Sequence, residues 1–125
     1  GTDDWSTTWQ GWGNSNIEAT ITLKKVDSFS VFKMRFMKDL NSKIVVPELV
    51  ILSVSNNGIN YQEIATIPKP KLNTDIQKEI VYFETKFHSR VTAKYVKVFA
   101  QLPPFLYDNK TPSSLFMFTD EIFIK

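Results

Sequence analysis

The chain has 125 residues and a mass of 14.4 kDa, enough for one domain that buries about two-thirds of its unfolded surface. Its 15 basic and 13 acidic residues are interspersed, so it lacks the basic stripe that nucleic-acid binding requires. Cysteine is absent, which excludes disulfides, thiolate metal sites and cysteine nucleophiles, and no apolar run approaches the ~20 residues that span a bilayer. We expect neither a nucleic-acid partner nor membrane insertion.

The predicted elements are strands, in keeping with a composition rich in aromatic and β-branched residues. Residues 17–23 alternate strictly between apolar and polar side chains, which predicts a strand with one face in the core. Residues 29–37 alternate less cleanly, and we expect Phe32, Met34 and Phe36 to face inward. Five further segments are predicted as strands: residues 48–55, 61–66, 79–87, 94–100 and 119–124. Seven residues are expected in one core: Ile21, Leu23, Phe36, Leu52, Val54, Val96 and Val98.

Residues 52–61 predict a β-hairpin, because their two alternating runs are joined by Asn56-Asn57-Gly58, whose residues tolerate positive φ. No segment predicts a helix of three turns, and the sequence contains neither an internal repeat nor a low-complexity segment. The predicted fold class is therefore all-β, an antiparallel β-sandwich or jelly roll of about eight strands.

Trp5, Trp9 and Trp12 fall in a stretch otherwise rich in Gly, Ser, Thr and Asp, which is too polar for a buried strand. We interpret them as loop aromatics. A flat indole suits the C–H face of a pyranose, so these residues could form a sugar-stacking platform. The alternative is that they close one end of the sandwich, with each indole N–H paired.

No catalytic constellation is evident in the sequence. His88 has no second histidine or cysteine with which to complete a zinc site, and no Gly-x-Ser-x-Gly elbow is present for a serine hydrolase. Asp120 and Glu121 are adjacent, so within a strand their side chains would point to opposite faces and could not flank one glycosidic bond. We predict no catalytic residues and expect that the domain itself is not an enzyme.

Two segments resemble the paired strands of discoidin domains, also called coagulation factor 5/8 type C domains, which have a galactose-binding-like fold: residues 52–61 and 93–100. Residues 9–23, 36–47 and 118–122 also resemble the discoidin-like tail that follows the catalytic domain in bacterial family 20 β-hexosaminidases, often labelled chitobiases. The resemblance spans nearly the whole chain. It implies a jelly roll that binds ligands rather than catalyses. It also implies that residues 1–125 are a single discoidin-like domain, a fragment of a larger protein that lacks the usual first strand.

The resemblance implies a noncatalytic carbohydrate-binding accessory module of a secreted, periplasmic or cell-surface bacterial glycoside hydrolase. Its partners would be a glycan, bound weakly, and the tethered glycosidase catalytic domain. Loops at one end of the sandwich would supply an aromatic ring and polar groups from Trp5, Asn41, Lys43, Tyr107, Asp108 and Asn109. Hexosaminidase tails tend to carry tryptophan at the position of Lys43 and a Trp-His pair at that of Tyr107 and Asp108. The alternative is therefore a structural spacer or protein-interaction domain that binds no glycan.

In discoidin domains, a calcium ion commonly links the early loop to a glutamate on the last strand. The resemblance thus implies structural calcium with carboxylate ligands from Asp3, Asp4 and Glu121. The alternative for Asp3-Asp4 is an ordinary solvated turn.

Overall fold

The computed structural model describes residues 10–13, 16–72, 76–103 and 116–125. Within these residues the chain is all-β, as predicted, and its one helical segment is the 3-10 turn Leu40–Ser42. No helix in this part of the chain has the length and apolar composition needed to cross a membrane. Six strands make up the described fold: β1 (Gln10–Gly13), β2 (Ile17–Asp39), β3 (Leu49–Ser55), β4 (Gln62–Pro68), β5 (Lys78–Gln101) and β6 (Phe116–Ile124).

β2 and β5 are much longer than ordinary strands, and both run through the two layers of the sandwich. They pair antiparallel along nearly their whole length in a sheet of order β1-β6-β2-β5-β3-β4. Their register shifts between Thr22 and Asp27 and again between Phe29 and Val31. Such irregularities bend a strand and increase its twist. The first layer therefore contains β4, β3, the second half of β5 and the first half of β2, and the second contains the remaining halves with β6 and β1.

Apolar side chains from both layers form one core. Phe32, Met34 and Phe36 of the second layer are buried, as their alternation predicts. Phe36 packs edge-to-face on Phe83 with their ring centroids 5.4 Å apart. Leu52, from β3 in the first layer, belongs to the same buried cluster. The two halves of the sheet are thus packed face to face.

Six of the seven residues predicted for the core lie in this cluster or against it. Four are fully buried within it: Phe36, Leu52, Val96 and Val98. Ile21 and Val54 are partly buried and pack against it, and Leu23 is buried outside it. The period-2 pattern therefore identified the inward face of each of these strands.

β3 and β4 form the predicted hairpin, and side chains fix its turn. The Oδ1 atom of Asn57 accepts hydrogen bonds from the N–H groups of Ile59 (2.8 Å) and Asn60 (2.9 Å). The Oγ atom of Ser55 accepts one from the N–H of Gly58 at 2.9 Å. Gly58 has a φ of 77°, which glycine adopts without strain. The turn therefore has a well-defined conformation before any ligand binds.

Four predicted segments prove to be two continuous strands. Residues 17–23 and 29–37 both belong to β2, and residues 79–87 and 94–100 both belong to β5. Polar residues lie between the paired segments, but the strands continue through them, and residues 27–29 of β2 pair with residues 91–93 of β5 between two shifts in register. His88 consequently lies inside β5 and is exposed, rather than at a strand end.

Trp12 was predicted to lie in a loop, and this interpretation is wrong. It belongs to β1, whose residues Gln10–Gly13 pair antiparallel with β6. β1 lies at one edge of the described sheet. An edge strand tolerates the glycine and polar residues that would weaken a central one, which is why the composition was misleading.

Candidate functional site

Asn41 and Lys43 lie in a tight loop between β2 and β3. Asp39 and Ile44 close this loop by exchanging two backbone hydrogen bonds, each of 2.9 Å. The chain reverses through the 3-10 turn Leu40–Ser42 and through Lys43, whose φ is 59°. Both Asn41 and Lys43 are exposed. Two polar side chains therefore project from a short loop whose base is closed by hydrogen bonds.

The same end of the sandwich receives the two ends of the β5–β6 connection. β3 begins beside Gln101, the last residue of β5, because the N–H of Glu48 donates to the Gln101 carbonyl at 2.9 Å. β6 begins at Phe116 and pairs with the end of β2. The β5–β6 connection therefore starts and finishes next to the loop that carries Asn41. Four predicted site residues lie outside the described residues, so their grouping with Asn41 and Lys43 stays a prediction: Trp5, Tyr107, Asp108 and Asn109.

Glu121 lies on β6, as predicted, and its carboxylate forms an ion pair. Its Oε2 atom is 3.6 Å from Nη2 of Arg35, the residue opposite it on β2, and both side chains are partly exposed. Asp3 and Asp4 lie outside the described residues. Among the residues that are described, no group of three or more His, Cys, Asp and Glu side chains is placed to hold a metal ion. The carboxylate of Glu121 could serve as a calcium ligand, although the positive charge of Arg35 would repel the ion.

Lys38 is a buried charged residue two positions after Phe36, on the inward face of β2. Its side chain is fully buried, and its Nζ atom lies 3.8 Å from Oε1 of Glu79 on β5. Lys38 has further interactions besides this pair. A buried ammonium group requires such partners, because an unpaired charge is costly in the interior. The pair lies beside the loop that carries Asn41.

A cavity of about 270 Å³ opens at the opposite end of the first layer, beside the β3–β4 turn. Amide and hydroxyl side chains dominate its lining, together with the ring of Tyr61. The Nζ atom of Lys97 lies 4.2 Å from the centroid of that ring. Sequence reasoning missed this site, because Thr92 of β5 reaches it from about thirty positions beyond the turn. The available signal was an amide-rich turn, with Asn56 and Asn60 in addition to the Asn57-Gly58 that the turn requires.

The outer face of the second layer exposes large apolar side chains. Ile80 and Tyr82 of β5 are each 46% exposed. They lie opposite Met37 and Arg35 of β2, which are partly exposed. Tyr82 is also contacted by Lys33, whose Nζ atom is 5.2 Å from the ring centroid. This face combines apolar area with charged groups, as protein interfaces often do.

No family model matches the sequence, and no curated protein matches it. Solved structures share its fold. One, described as CpGH89CBM32-6 produced by Clostridium perfringens, has a TM-score of 0.59 and 14% identity, covering 92% of this chain and 75% of that chain. CBM32-3 from a family 31 glycoside hydrolase of the same organism has a TM-score of 0.53 and 14% identity, with coverages of 92% and 75%. CBM32-1 from a family 31 glycoside hydrolase of that organism has a TM-score of 0.52 and 13% identity, with coverages of 90% and 78%.

These likenesses show that the chain has the β-sandwich fold of CBM32 carbohydrate-binding modules. The discoidin-like fold expected from residues 52–61 and 93–100 is thereby supported. At 13–14% identity the comparison concerns the fold. Function has to be argued from the site.

Proposed function

We propose that the domain is a noncatalytic carbohydrate-binding accessory module of a bacterial glycoside hydrolase exported from the cytoplasm. The observation that carries the proposal is the likeness of its fold to three CBM32 modules, over at least 90% of this chain. Two of these structures are described as parts of a family 31 glycoside hydrolase. More specifically, we propose that the parent enzyme is a β-hexosaminidase, because residues 9–23 and 118–122 resemble the discoidin-like tail of family 20 β-hexosaminidases.

The glycan site that we propose is the loop end of the sandwich. Asn41 and Lys43 project there from a loop with a closed base. The connection that contains Tyr107, Asp108 and Asn109 begins and ends at the same place. A sugar needs one aromatic face and a few fixed polar partners. Tyr107 or Trp5 would supply the ring, and the amides of Asn41 and Asn109 would bind hydroxyl groups.

Titration of the chain with hexosamine- and galactose-containing oligosaccharides tests this site. We expect weak binding, with dissociation constants of about a millimolar, because the candidate site offers only a few polar partners. Tyr107→Ala and Asn41→Ala should each weaken binding by about fivefold or more, since each removes a stacking or hydrogen-bonding group. Tyr82→Ala is the matched control, because it removes an exposed tyrosine from a different face. Binding that survives both loop-end substitutions would place the site elsewhere.

A second candidate function is that of a structural or protein-interaction domain, and the outer face of the second layer favours it. Ile80 and Tyr82 would pack against the tethered catalytic domain and hold it in position. The double variant Ile80→Ser/Tyr82→Ser should then weaken binding of the separately expressed catalytic domain while leaving glycan titrations unchanged. Absence of glycan binding at millimolar concentration, together with this loss, would favour the interaction role over the carbohydrate role.

A further inference from the structure

The cavity beside the β3–β4 turn has no role in the function proposed above. We propose that it is a second binding site, selective for one ring of a neutral sugar. The two sites lie at opposite ends of the first layer: β3 begins at the loop end with Leu49 and reaches the turn after Ser55. Seven residues of strand span about 20 Å at ~3.3 Å per residue. A ligand ring in one site therefore does not contact the other.

The lining of the cavity matches the chemistry of a polyol. Apart from Tyr61, four of its residues carry an amide or a hydroxyl group that the turn does not use: Asn56, Asn60, Gln62 and Thr92. Each of these groups both donates and accepts hydrogen bonds, as the hydroxyl groups of a sugar also do. The described residues that line the cavity include no charged side chain and no large aliphatic cluster. This composition disfavours both an ionic ligand and a lipid chain.

Tyr61 supplies the aromatic wall. The Nζ atom of Lys97 lies over one face of its ring, 4.2 Å from the centroid; this cation–π contact restrains the ring, and a sugar would stack on the other face. The same ammonium group lies 3.8 Å from Oε1 of Glu18. Its charge is therefore directed to the ring and to a carboxylate, rather than offered to an anionic ligand. The site thus combines one restrained aromatic ring with uncharged polar partners, which is the combination that a pyranose requires.

The polar groups are held on a fixed turn. Asn57 and Ser55 use their side chains to bind the backbone of residues 57–60. Asn56, between these two anchors, and Asn60, three residues after Asn57, are exposed, and neither has a side-chain hydrogen bond within the described part of the chain. Their amide groups remain available to a ligand. Binding would order little additional chain, which lowers its entropic cost.

The cavity is of a size that holds a single ring. Its volume of about 270 Å³ lies just below the range of typical ligand pockets. An oligosaccharide would therefore place one residue inside and extend the others into solvent. A module with a site at each end could bridge two glycan chains, and the linked binding events would raise the overall affinity.

Amide NMR of the isotope-labelled whole chain tests the proposal, with methyl β-galactopyranoside and N-acetylglucosamine as neutral probes and galacturonate as the charged one. We expect saturable shifts of the Asn56, Asn60 and Gln62 side-chain amides with at least one neutral probe, and weaker binding of galacturonate. Asn60→Ala and Gln62→Ala should each weaken the binding seen at the remaining turn signals by about fivefold or more. Gln101→Ala, which removes an exposed amide at the far end of β5, is the matched control and should leave those signals unchanged.

The proposal is overturned if neither neutral probe shifts the turn signals at saturating concentration, or if binding there survives both Asn60→Ala and Gln62→Ala. Tighter binding of galacturonate would overturn the assignment to a neutral sugar. NMR shifts at the turn without shifts in residues 41–44 would support this site and contradict the loop-end site. NMR shifts confined to residues 41–44 would support the loop-end site and contradict this one.

Discussion

At the scale of single residues, Gly58 shows how closely the hairpin turn is packed. Its φ of 77° lies in the left-handed region, which residues other than glycine adopt at a cost. A Cβ atom at this position would lie 3.2 Å from Cζ of Tyr95, closer than ordinary van der Waals contact. Two separate constraints, the backbone conformation and the approach of the Tyr95 ring, therefore favour glycine here.

Gly58→Ala is expected to lower the free energy of unfolding by about 1–2 kcal/mol, because it introduces both backbone strain and a contact with Tyr95. Urea denaturation measures the change. In a Tyr95→Ala background the same substitution should cost less, since only the backbone term remains. An equal cost in both backgrounds would show that the Tyr95 ring imposes no constraint.

Lys38 and Glu79 provide a second residue-scale prediction. Glu79→Gln would leave the buried Lys38 ammonium without its carboxylate, whose Oε1 atom lies 3.8 Å away. We expect a loss of about 1–3 kcal/mol in the free energy of unfolding. In a Lys38→Met background the loss should be much smaller, because the charge that needs the carboxylate is gone. Additive effects of the two substitutions in a double-mutant cycle would contradict the coupling.

Lys38 also shows where sequence reasoning stops at this scale. Strand alternation places it on the same face as Phe36, and that face is buried. A lysine is seldom fully buried, so its residue type argues against the position that the period predicts. The conflict is resolved by Glu79, which lies about forty residues away in sequence and directly opposite Lys38 on β5. A partner supplied by tertiary structure cannot be read from a local pattern.

At the scale of elements, the sequence predicted the faces of strands better than their ends. The inward positions of Phe32 and Phe36 followed from a period of two, which every buried strand face obeys. The continuity of β2 through Asp27 and Ser28 could not be predicted in this way, because these polar residues pair with β5 instead of forming a turn. The extent of a strand depends on its partner, whereas the face that it buries depends on its own alternation.

Phe36→Ala tests the core packing between β2 and β5. Phe36 is fully buried and packs on Phe83, so its truncation should lower the free energy of unfolding by about 3–5 kcal/mol. Tyr82→Ala is the control, because Tyr82 lies on the opposite, exposed face of the same pair of strands and should cost no more than ~1 kcal/mol. Urea denaturation compares the two. Similar losses would contradict the assignment of inner and outer faces.

At the scale of the whole molecule, the sequence indicated one end of the sandwich as a candidate site, and the structure describes part of it. Asn41 and Lys43 are exposed on the loop that the sequence suggested. The cavity beside the opposite turn could not be predicted, because it is lined by Thr92 of β5 and by Tyr61, just before β4, although β3 lies between these two strands in the sheet. A site built on one loop leaves a local signal, whereas a site built between distant strands does not.

The proposed calcium site concerns the stability of the whole domain, since it would join the first residues of the chain to its last strand. Glu121 is the one proposed ligand that the structure describes, and Arg35 Nη2 lies 3.6 Å from its Oε2 atom. A cation on the same carboxylate would lie near this guanidinium and be repelled by it. Arg35 should therefore weaken calcium binding without abolishing it. Removal of Arg35 should raise the calcium affinity, whereas removal of Glu121 should lower it.

If Asp3, Asp4 and Glu121 hold calcium, a chelator should lower the melting temperature. At a calcium concentration of one hundred times Kd, the loss corresponds to about 2.7 kcal/mol in the free energy of unfolding. Glu121→Gln should remove this calcium dependence, and Arg35→Gln should shift it to lower calcium concentrations, because a repelling charge is lost. Glu84→Gln is the matched control: Glu84 forms a similar partly exposed ion pair with Lys33, at 3.3 Å, and its loss should leave the calcium dependence unchanged. A melting temperature that the chelator does not alter, with no calcium found by elemental analysis, would rule out the calcium site and leave Glu121 as the ion-pair partner of Arg35.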